Sequence, residues 1–359
     1  MSTDPPGVCS SELMVWLSTN FPAFDASRPP QYRLLAGGRS NVTYEVTDRS
    51  GRQWALRRPP LGHVMPSAHD MTREFRVLQG LGRVHFPVPT AHILCEDTTV
   101  IGAPFMLMDF VAGQVIATQK DAEAFTPAEC ATASRTLIEG LATLHSVDVA
   151  AARLEEFGRP QGYLRRQVNR WGQQWALTKT RELPSIDALQ SWLTDRACDL
   201  PEDSPWSLVH GDYRLDNVIL DPGLQRLLAV LDWEMSTLGD PIADLATTLV
   251  YWTQAGDGLR SSVPVAQHVT SGPGFWTRQQ VIDAYQHLTG ADLRNLDLCV
   301  VLACYKLAVI LESIHYRNLS GQQLGATAER GEDMGAAAEA LAELGLQVIT
   351  HGVLNGLAS

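Results

Sequence analysis

Leu208-Val209-His210-Gly211-Asp212-Tyr213-Arg214-Leu215-Asp216-Asn217 is the stretch that decides the fold. It runs on into Val218-Ile219-Leu220-Asp221-Pro222-Gly223 and, after a short gap, Ala229-Val230-Leu231-Asp232-Trp233-Glu234. Val218 to Leu220 reads as a strand, Asp221-Pro222-Gly223 as a turn, and Leu227 to Leu231 as the returning strand. Closing that hairpin folds Asp232 back beside Asn217 at inter-strand distance, with Asp212 on the loop just upstream. Two carboxylates and a carboxamide then face one pocket. That donor set suits Mg²⁺, a hard cation that prefers oxygen, and a phosphate tail.

The pattern His210-Gly211-Asp212-x-x-x-x-Asn217, followed by Leu231-Asp232-Trp233-Glu234, resembles the catalytic core of the aminoglycoside phosphotransferase and choline kinase-like family. The longer strings, through Asn217 and from Leu231 to Pro241, resemble most the kinase domains associated with acyl-CoA dehydrogenases. The resemblance spans about Leu34 to about Gly325, most of the chain. It implies an α+β, bilobal, protein-kinase-like fold. Residues 1–112 would form an N-lobe, an antiparallel sheet with a helix, and residues 113–359 a mainly helical C-lobe.

The roles it implies follow from phosphoryl transfer, which is mainly positioning and charge neutralisation. Asp212 is the catalytic residue that accepts the acceptor's proton, and Asn217 with Asp232 holds Mg²⁺. His210, Asp240 and Asp244 support the site, the two aspartates by bracing the catalytic loop or capping the helix that starts near Pro241.

Upstream, Leu34 to Val46 reads as strand, Gly-rich turn, strand, and its Gly37, Gly38, Ser40 and Asn41 are nucleotide-loop candidates. Glycines there let backbone N–H groups approach an anion. In the strand Trp54 to Arg58, kinases carry a lysine that pairs with a helix glutamate. Arg57 stands at that position, a departure, since arginine is not a free substitute for lysine. Arg58 is the alternative if the register slips by one. Glu74, in the helical stretch Thr72 to Leu81, is the expected partner. Met108 to Gly113 resembles the hinge between kinase lobes, where backbone groups of Asp109, Phe110 and Val111 would meet the adenine edge. Such contacts leave no side-chain signature, so the sequence leaves both ATP and GTP open.

The periodicity predicts helices near Ser10–Leu17 (with Ser10 as cap), Pro127–Ser146, Gly162–Leu177, Ile186–Ala197, Trp276–Leu288, Leu296–Arg317 and Gly335–Leu346. His145 is expected as a structural histidine under the catalytic loop. Tyr163, Trp171 and Trp175 among Arg165, Arg166 and Arg170 suit either RNA or a packed helix with solvated arginines.

Composition narrows the classes. The 359 residues carry 28 Lys and Arg against 40 Asp and Glu, a net charge of −12, which argues against nucleic acid. The 45% hydrophobic content is ordinary for a globular chain. Six scattered cysteines and ten histidines lack metal-ligand spacing, so free thiols are expected. No uncharged apolar run approaches the ~20 residues of a membrane span, and the N-terminus does not read as a signal peptide. The expectation is a cytoplasmic enzyme without membrane or nucleic-acid partners. With ATP or GTP and Mg²⁺, it would phosphorylate a hydroxyl of a small molecule, a hydroxyacyl-CoA or hydroxy acid. The alternatives are an aminoglycoside or amino-alcohol kinase, and a nucleotide-binding pseudokinase acting as a partner module. A protein kinase is less consistent, for the chain lacks His-Arg-Asp and an activation segment ending in Ala-Pro-Glu.

Overall fold

The structure, a computed structural model, describes residues 4–36, 41–61, 70–264, 268–319 and 333–359. The chain passes from one compact unit to a second between Ala112 and Gly113.

In the first unit, α1 (Ser10–Asn20) precedes β1 (Gln31–Ala36), β2 (Val42–Thr47) and β3 (Gln53–Arg58), then α2 (Met71–Arg83), β4 (Ala91–Cys95) and β5 (Phe105–Asp109). The strands make one antiparallel sheet in the order β1-β2-β3-β5-β4. β2 is rich in β-branched and aromatic residues, and Asp48 shapes the turn into β3 by accepting from the Arg52 N–H at 3.1 Å. The same aspartate accepts from Trp54 Nε1 at 3.0 Å, so the largest side chain of the sheet is buried without a stranded donor. Val46, Trp54, Leu56, Phe105 and Leu107 pack with Leu13 and Leu17 of α1. Fully burying each of those leucines contributes ~1.5–3 kcal/mol. Ser10 is not the cap of α1. Cys9 takes that position without a side-chain bond to the helix N–H groups, and Ser10 is buried inside the helix, 3.1 Å from the Tyr32 hydroxyl. α2 is capped by Asp70, which accepts from the Arg73 N–H, and buries Glu74 on its apolar face beside Val77 and Leu78.

The second unit begins with α3 (Gln119–Ala122), α4 (Pro127–His145), α5 (Tyr163–Thr178) and α6 (Pro184–Cys198). Four short strands follow: β6 (Ser207–Val209), β7 (Val218–Leu220), β8 (Leu227–Val230) and β9 (Thr237–Gly239). The unit continues through α7 (Pro241–Tyr251), α8 (Arg278–Thr289), α9 (Leu296–Leu319) and α10 (Met334–Ala358). Capping boxes fix three of these starts, Thr118 with Asp121 on α3, Thr126 with Glu129 on α4 and Thr277 with Gln280 on α8. α5 buries Leu164, Val168, Trp171 and Trp175 at helical spacing, so its aromatics are core rather than a stacking surface for RNA bases. α10 runs past the expected Leu346 to Ala358, with a break at Gly352, whose φ of 78° is not helical. α9 has the length and mean hydropathy, 1.8, of a membrane span over Leu296–Arg317, but 72% of that window is buried in the protein. All six cysteines are free thiols.

Candidate active site

The sequence predicts a hairpin after Asn217, and β7 pairs antiparallel with β8, Val218 opposite Val230. The Leu231 N–H donates to the Asn217 carbonyl at 2.8 Å, so the chain carrying Asp232 leaves the hairpin next to Asn217. Asp232 itself takes left-handed backbone angles, φ 66° and ψ 61°. Among side chains with a Cβ, Asn and Asp are the ones that visit that region most readily.

A second pairing, absent from the sequence reading, frames the loop. β6 and β9 are antiparallel, with Val209 opposite Thr237, and they bracket the turn that holds Asp212. Gly211 is required there. Its φ is +84°, and a Cβ at this position would stand 2.7 Å from the Met235 carbonyl oxygen. His210, fully buried, lies 2.8 Å from the Leu231 carbonyl through Nε2, while its Nδ1 accepts from the Asp212 N–H at 3.2 Å. A carbonyl only accepts, so Nε2 carries the proton and the imidazole is the neutral tautomer. Trp233, also fully buried, packs its ring 4.6 Å from that of His210.

The two downstream aspartates divide the tasks proposed for them. Asp240 caps α7, accepting from the Ile242 N–H at 2.9 Å. Asp244, on the first turn of α7, accepts from His210 N–H at 2.5 Å and Gly211 N–H at 2.7 Å. Burial opposes ionisation of Asp244, but His145 and the loop amides outweigh it and hold its carboxyl below the usual range. His145 is 3.3 Å from Asp244 through Nε2 and 2.7 Å from the Tyr285 hydroxyl through Nδ1. The far end of the loop is tied by Tyr213, whose hydroxyl donates to the Leu137 carbonyl, and by Thr248, which donates to the Tyr213 carbonyl.

Asp212 and Asn217 are in direct contact. Asn217 Nδ2 donates to the Asp212 carbonyl at 2.8 Å and to its Oδ2 at 3.0 Å. That fixes the amide orientation and leaves Oδ1 as the oxygen Asn217 would offer a cation. Arg214 donates to Asp212 Oδ2 at 3.2 Å and to Asp216 Oδ2 at 2.5 Å, with its guanidinium 4.8 Å from the Tyr251 ring centre. Burial raises the Asp212 pKa, but Arg214, Lys306 and a hydrogen bond with Tyr251 together hold it below the ordinary value. Asp212 is therefore a carboxylate at neutral pH. Lys306, Tyr251, Arg214 and Asp216 carry no role in the sequence reading. Only Lys306 has a signal, a lone lysine inside the apolar helix α9.

Asp216 differs. Burial pushes its pKa up to about 6, against the pull of Arg214 and with repulsion from Asp212 and Asp232. In magnesium-free protein the folded state then keeps a proton that the unfolded chain, with an ordinary Asp pKa of ~3.9, has lost. Stability from Asp216 is complete below that lower value and is lost as the pH rises through about 6. Asp216→Asn should remove this fall, so the variant gains on wild type between acidic and neutral pH in chemical denaturation. A difference between the two that stays constant across that window would contradict it.

No group of three or more His, Cys, Asp or Glu side chains arranged to hold a metal occurs among the described residues. The donor chemistry nonetheless fits Mg²⁺, which commonly uses one or two carboxylates and completes its shell with phosphate oxygens and water. Asp216 Oδ1, buried and without a hydrogen-bond partner, would be satisfied by a cation's water shell.

In the first unit, three of the proposed nucleotide residues come together. Arg57 Nε donates to Glu74 Oε2 at 2.9 Å, Arg57 Nη1 to Thr43 Oγ1 at 3.2 Å, and Asn41 Nδ2 to Glu74 Oε2 at 3.3 Å. Arg58, on the opposite face, instead donates to the carbonyls of Gly7, Pro59 and Ile101. Strand alternation thus assigns the pair to Arg57. Arg57 and Glu74 are buried, so Glu74→Ala would leave a guanidinium without its carboxylate, at a cost of ~3–5 kcal/mol. Equilibrium denaturation should show it, and a wild-type midpoint would argue that the pair is dispensable.

At the proposed hinge, the Asp109 N–H donates to the Thr90 carbonyl at 3.0 Å and its carboxylate meets His92 at 2.7 Å, so of its main-chain groups the amide is engaged by the sheet. Phe110 and Val111 follow, half-buried, just beyond β5. Gly37, Gly38 and Ser40 lie outside the described residues.

Comparison with known proteins accords with this geometry. A model of the Phosphotransferase enzyme family (APH) matches residues 31–276. Mouse acyl-CoA dehydrogenase family member 10 is 37% identical over 314 residues, 86% of this chain and 28% of the mouse protein. The chicken family member 11 is 35% identical, over 88% of this chain and 40% of its own length. The chain thus spans well under half of the curated relatives it matches. Among solved structures, a Ralstonia eutropha protein provisionally classed as an aminoglycoside phosphotransferase superposes with a TM-score of 0.72 at 29% identity, covering 93% of this chain and 98% of the other.

Proposed function

Because the chain belongs to the APH phosphotransferase enzyme family, and so is a small-molecule phosphotransferase, we propose that it moves the γ-phosphoryl group of ATP onto an acceptor hydroxyl with the help of Mg²⁺. The acceptor we propose is a hydroxyacyl-CoA or the corresponding hydroxy acid. The observation that carries the reaction is the contact between Asn217 Nδ2 and Asp212 Oδ2, with Asp232 delivered alongside by the hairpin. It joins a carboxylate kept ionised to an amide whose carbonyl oxygen is turned away from it.

When bound, Mg²⁺ would neutralise charge on the transferring phosphoryl oxygens. Asn217 through Oδ1 and Asp232 through its carboxylate would hold it. Asp212 would orient the acceptor hydroxyl and take its proton as the oxygen attacks phosphorus. The bond from phosphorus to the bridging oxygen breaks in the same displacement, and ADP leaves. Arg57, aligned by Glu74 and Asn41, would face the α- and β-phosphates. Asp109 through its carbonyl, with Phe110 and Val111, would offer main-chain groups to the base, and ATP is the donor proposed.

Similarity to part of two acyl-CoA dehydrogenase family members supports an acyl-CoA-derived acceptor. The test is transfer from Mg·ATP to a panel of hydroxyacyl-CoAs, their free acids and aminoglycosides, read by mass spectrometry. A gain of one phosphate on the acyl-CoA or hydroxy-acid arm, absent with Asp212→Asn, is the expected result. Transfer to the aminoglycosides alone would overturn the acceptor and keep the reaction.

A further inference from the structure

We propose that Lys306 is a positioning residue for phosphoryl transfer, acting through the Gly211–Asp212 peptide; its bearing on turnover rests on Asp212 as the proton acceptor. Lys306 lies near the middle of α9, 94 residues beyond Asp212 in the chain, and its ammonium donates to the Gly211 carbonyl at 2.5 Å.

Gly211 is what makes such an anchor necessary. Its positive φ is needed for the turn, yet a glycine places few steric limits on rotation of the peptide that follows it. That peptide carries the Asp212 Cα, so its orientation aims the carboxylate. Left alone it would swing. Both of its polar ends are held instead: the N–H by His210 Nδ1 at 3.2 Å, and the C=O by Lys306 Nζ. The two preceding amides are held by Asp244. Three successive N–H groups are therefore anchored by loop and α7, and the carbonyl next to Asp212 by α9.

The surroundings indicate that this lysine serves a purpose beyond solvation. It lines a small cavity together with Gly211, Asp244, Gln167 and Trp171 of α5, and Leu302 of its own helix. Burial there disfavours its charge, and Arg170 opposes it further, while Asp212 and Asp244 favour it. A largely buried cation held at such a cost is commonly fixed by a specific partner. Here the partner is the main chain beside the reacting carboxylate. A displacement of ~1 Å at such a group costs on the order of 10²-fold in rate.

The test compares wild type with Lys306→Met, which keeps the length and removes donor and charge, and Lys306→Arg, which keeps both. In hydrogen–deuterium exchange on the full chain, Lys306→Met should speed exchange across residues 207–217 and leave α4 and the rest of α9 as in wild type. In steady-state kinetics kcat should fall by about 10²-fold with the KM for ATP unchanged, and Lys306→Arg should recover most of it. Unchanged exchange at 207–217 in a folded Lys306→Met protein would overturn the proposal. So would a general rise in exchange throughout the second unit that arginine does not reverse, because that marks a fold-wide role. Exchange needs no acceptor, so it decides this point even if wild type phosphorylates nothing in the panel, an outcome that counts against the acceptor alone.

Discussion

Asp212→Asn should lower kcat by ~10²–10⁴-fold, the usual contribution of a positioned general base, while Mg·ATP affinity stays near wild type. The substitution keeps the volume of the side chain and removes its basicity. The amide oxygen it introduces can still accept from Arg214 and Asn217, both of which donate to Asp212 Oδ2. Those partners keep the residue folded in place, so the loss should fall on chemistry and not on nucleotide binding. A pH profile provides a second check. Burial works against the charge, but Arg214 and Lys306 keep the Asp212 pKa below its ordinary value, so wild-type turnover should show no limb from this group near neutral pH. Single-turnover rates and calorimetry with Mg·ATP separate the two steps. Turnover close to wild type would remove Asp212 from the reaction.

Asp232→Asn should abolish the dependence of nucleotide binding on Mg²⁺. The choice of asparagine follows from the backbone. At φ 66° an alanine would add strain to the loss of a ligand, whereas asparagine tolerates these angles. Removing one anionic oxygen donor from a site that supplies few protein ligands leaves the cation to Asn217 and the phosphates, a poor shell for a hard dication. Titrating ATP with and without Mg²⁺ measures the difference directly. Equal enhancement by Mg²⁺ in variant and wild type would refute the assignment.

Much of this site is legible in the sequence because its parts are local. The spacing from Asp212 to Asn217 and the turn at Asp221 to Gly223 are encoded within about two dozen residues, and the hairpin forms as the turn chemistry requires. The choice between Arg57 and Arg58 needs only the alternation of a strand. What escapes is long-range. Nothing near Lys306 or Tyr251 announces that either will reach Asp212, because periodicity reports the buried face of a helix and not what lies across it. The pairing of β6 with β9 was hidden for another reason, since three-residue strands are too short for an alternating pattern. The hinge shows another limit: main-chain partners have no side-chain signature, so the sequence does not tell that the Asp109 amide is taken up by Thr90.

α9 bears on how the chain is handled while it is made. Its apolar window is long and oily enough to be sorted into a bilayer on composition alone. Lys306 stands close to the midpoint of that window, where a lysine adds ~2.5–3.5 kcal/mol to the cost of insertion by the translocation machinery. Glu312, fully buried and facing Arg181 at 3.8 Å, adds a second charge one and a half turns on. The lysine proposed to steady the catalytic loop thus also raises the cost of placing this helix in a bilayer. Lys306→Met would lower that cost, so an isolated α9 peptide carrying it should partition more readily into lipid vesicles than the wild-type peptide.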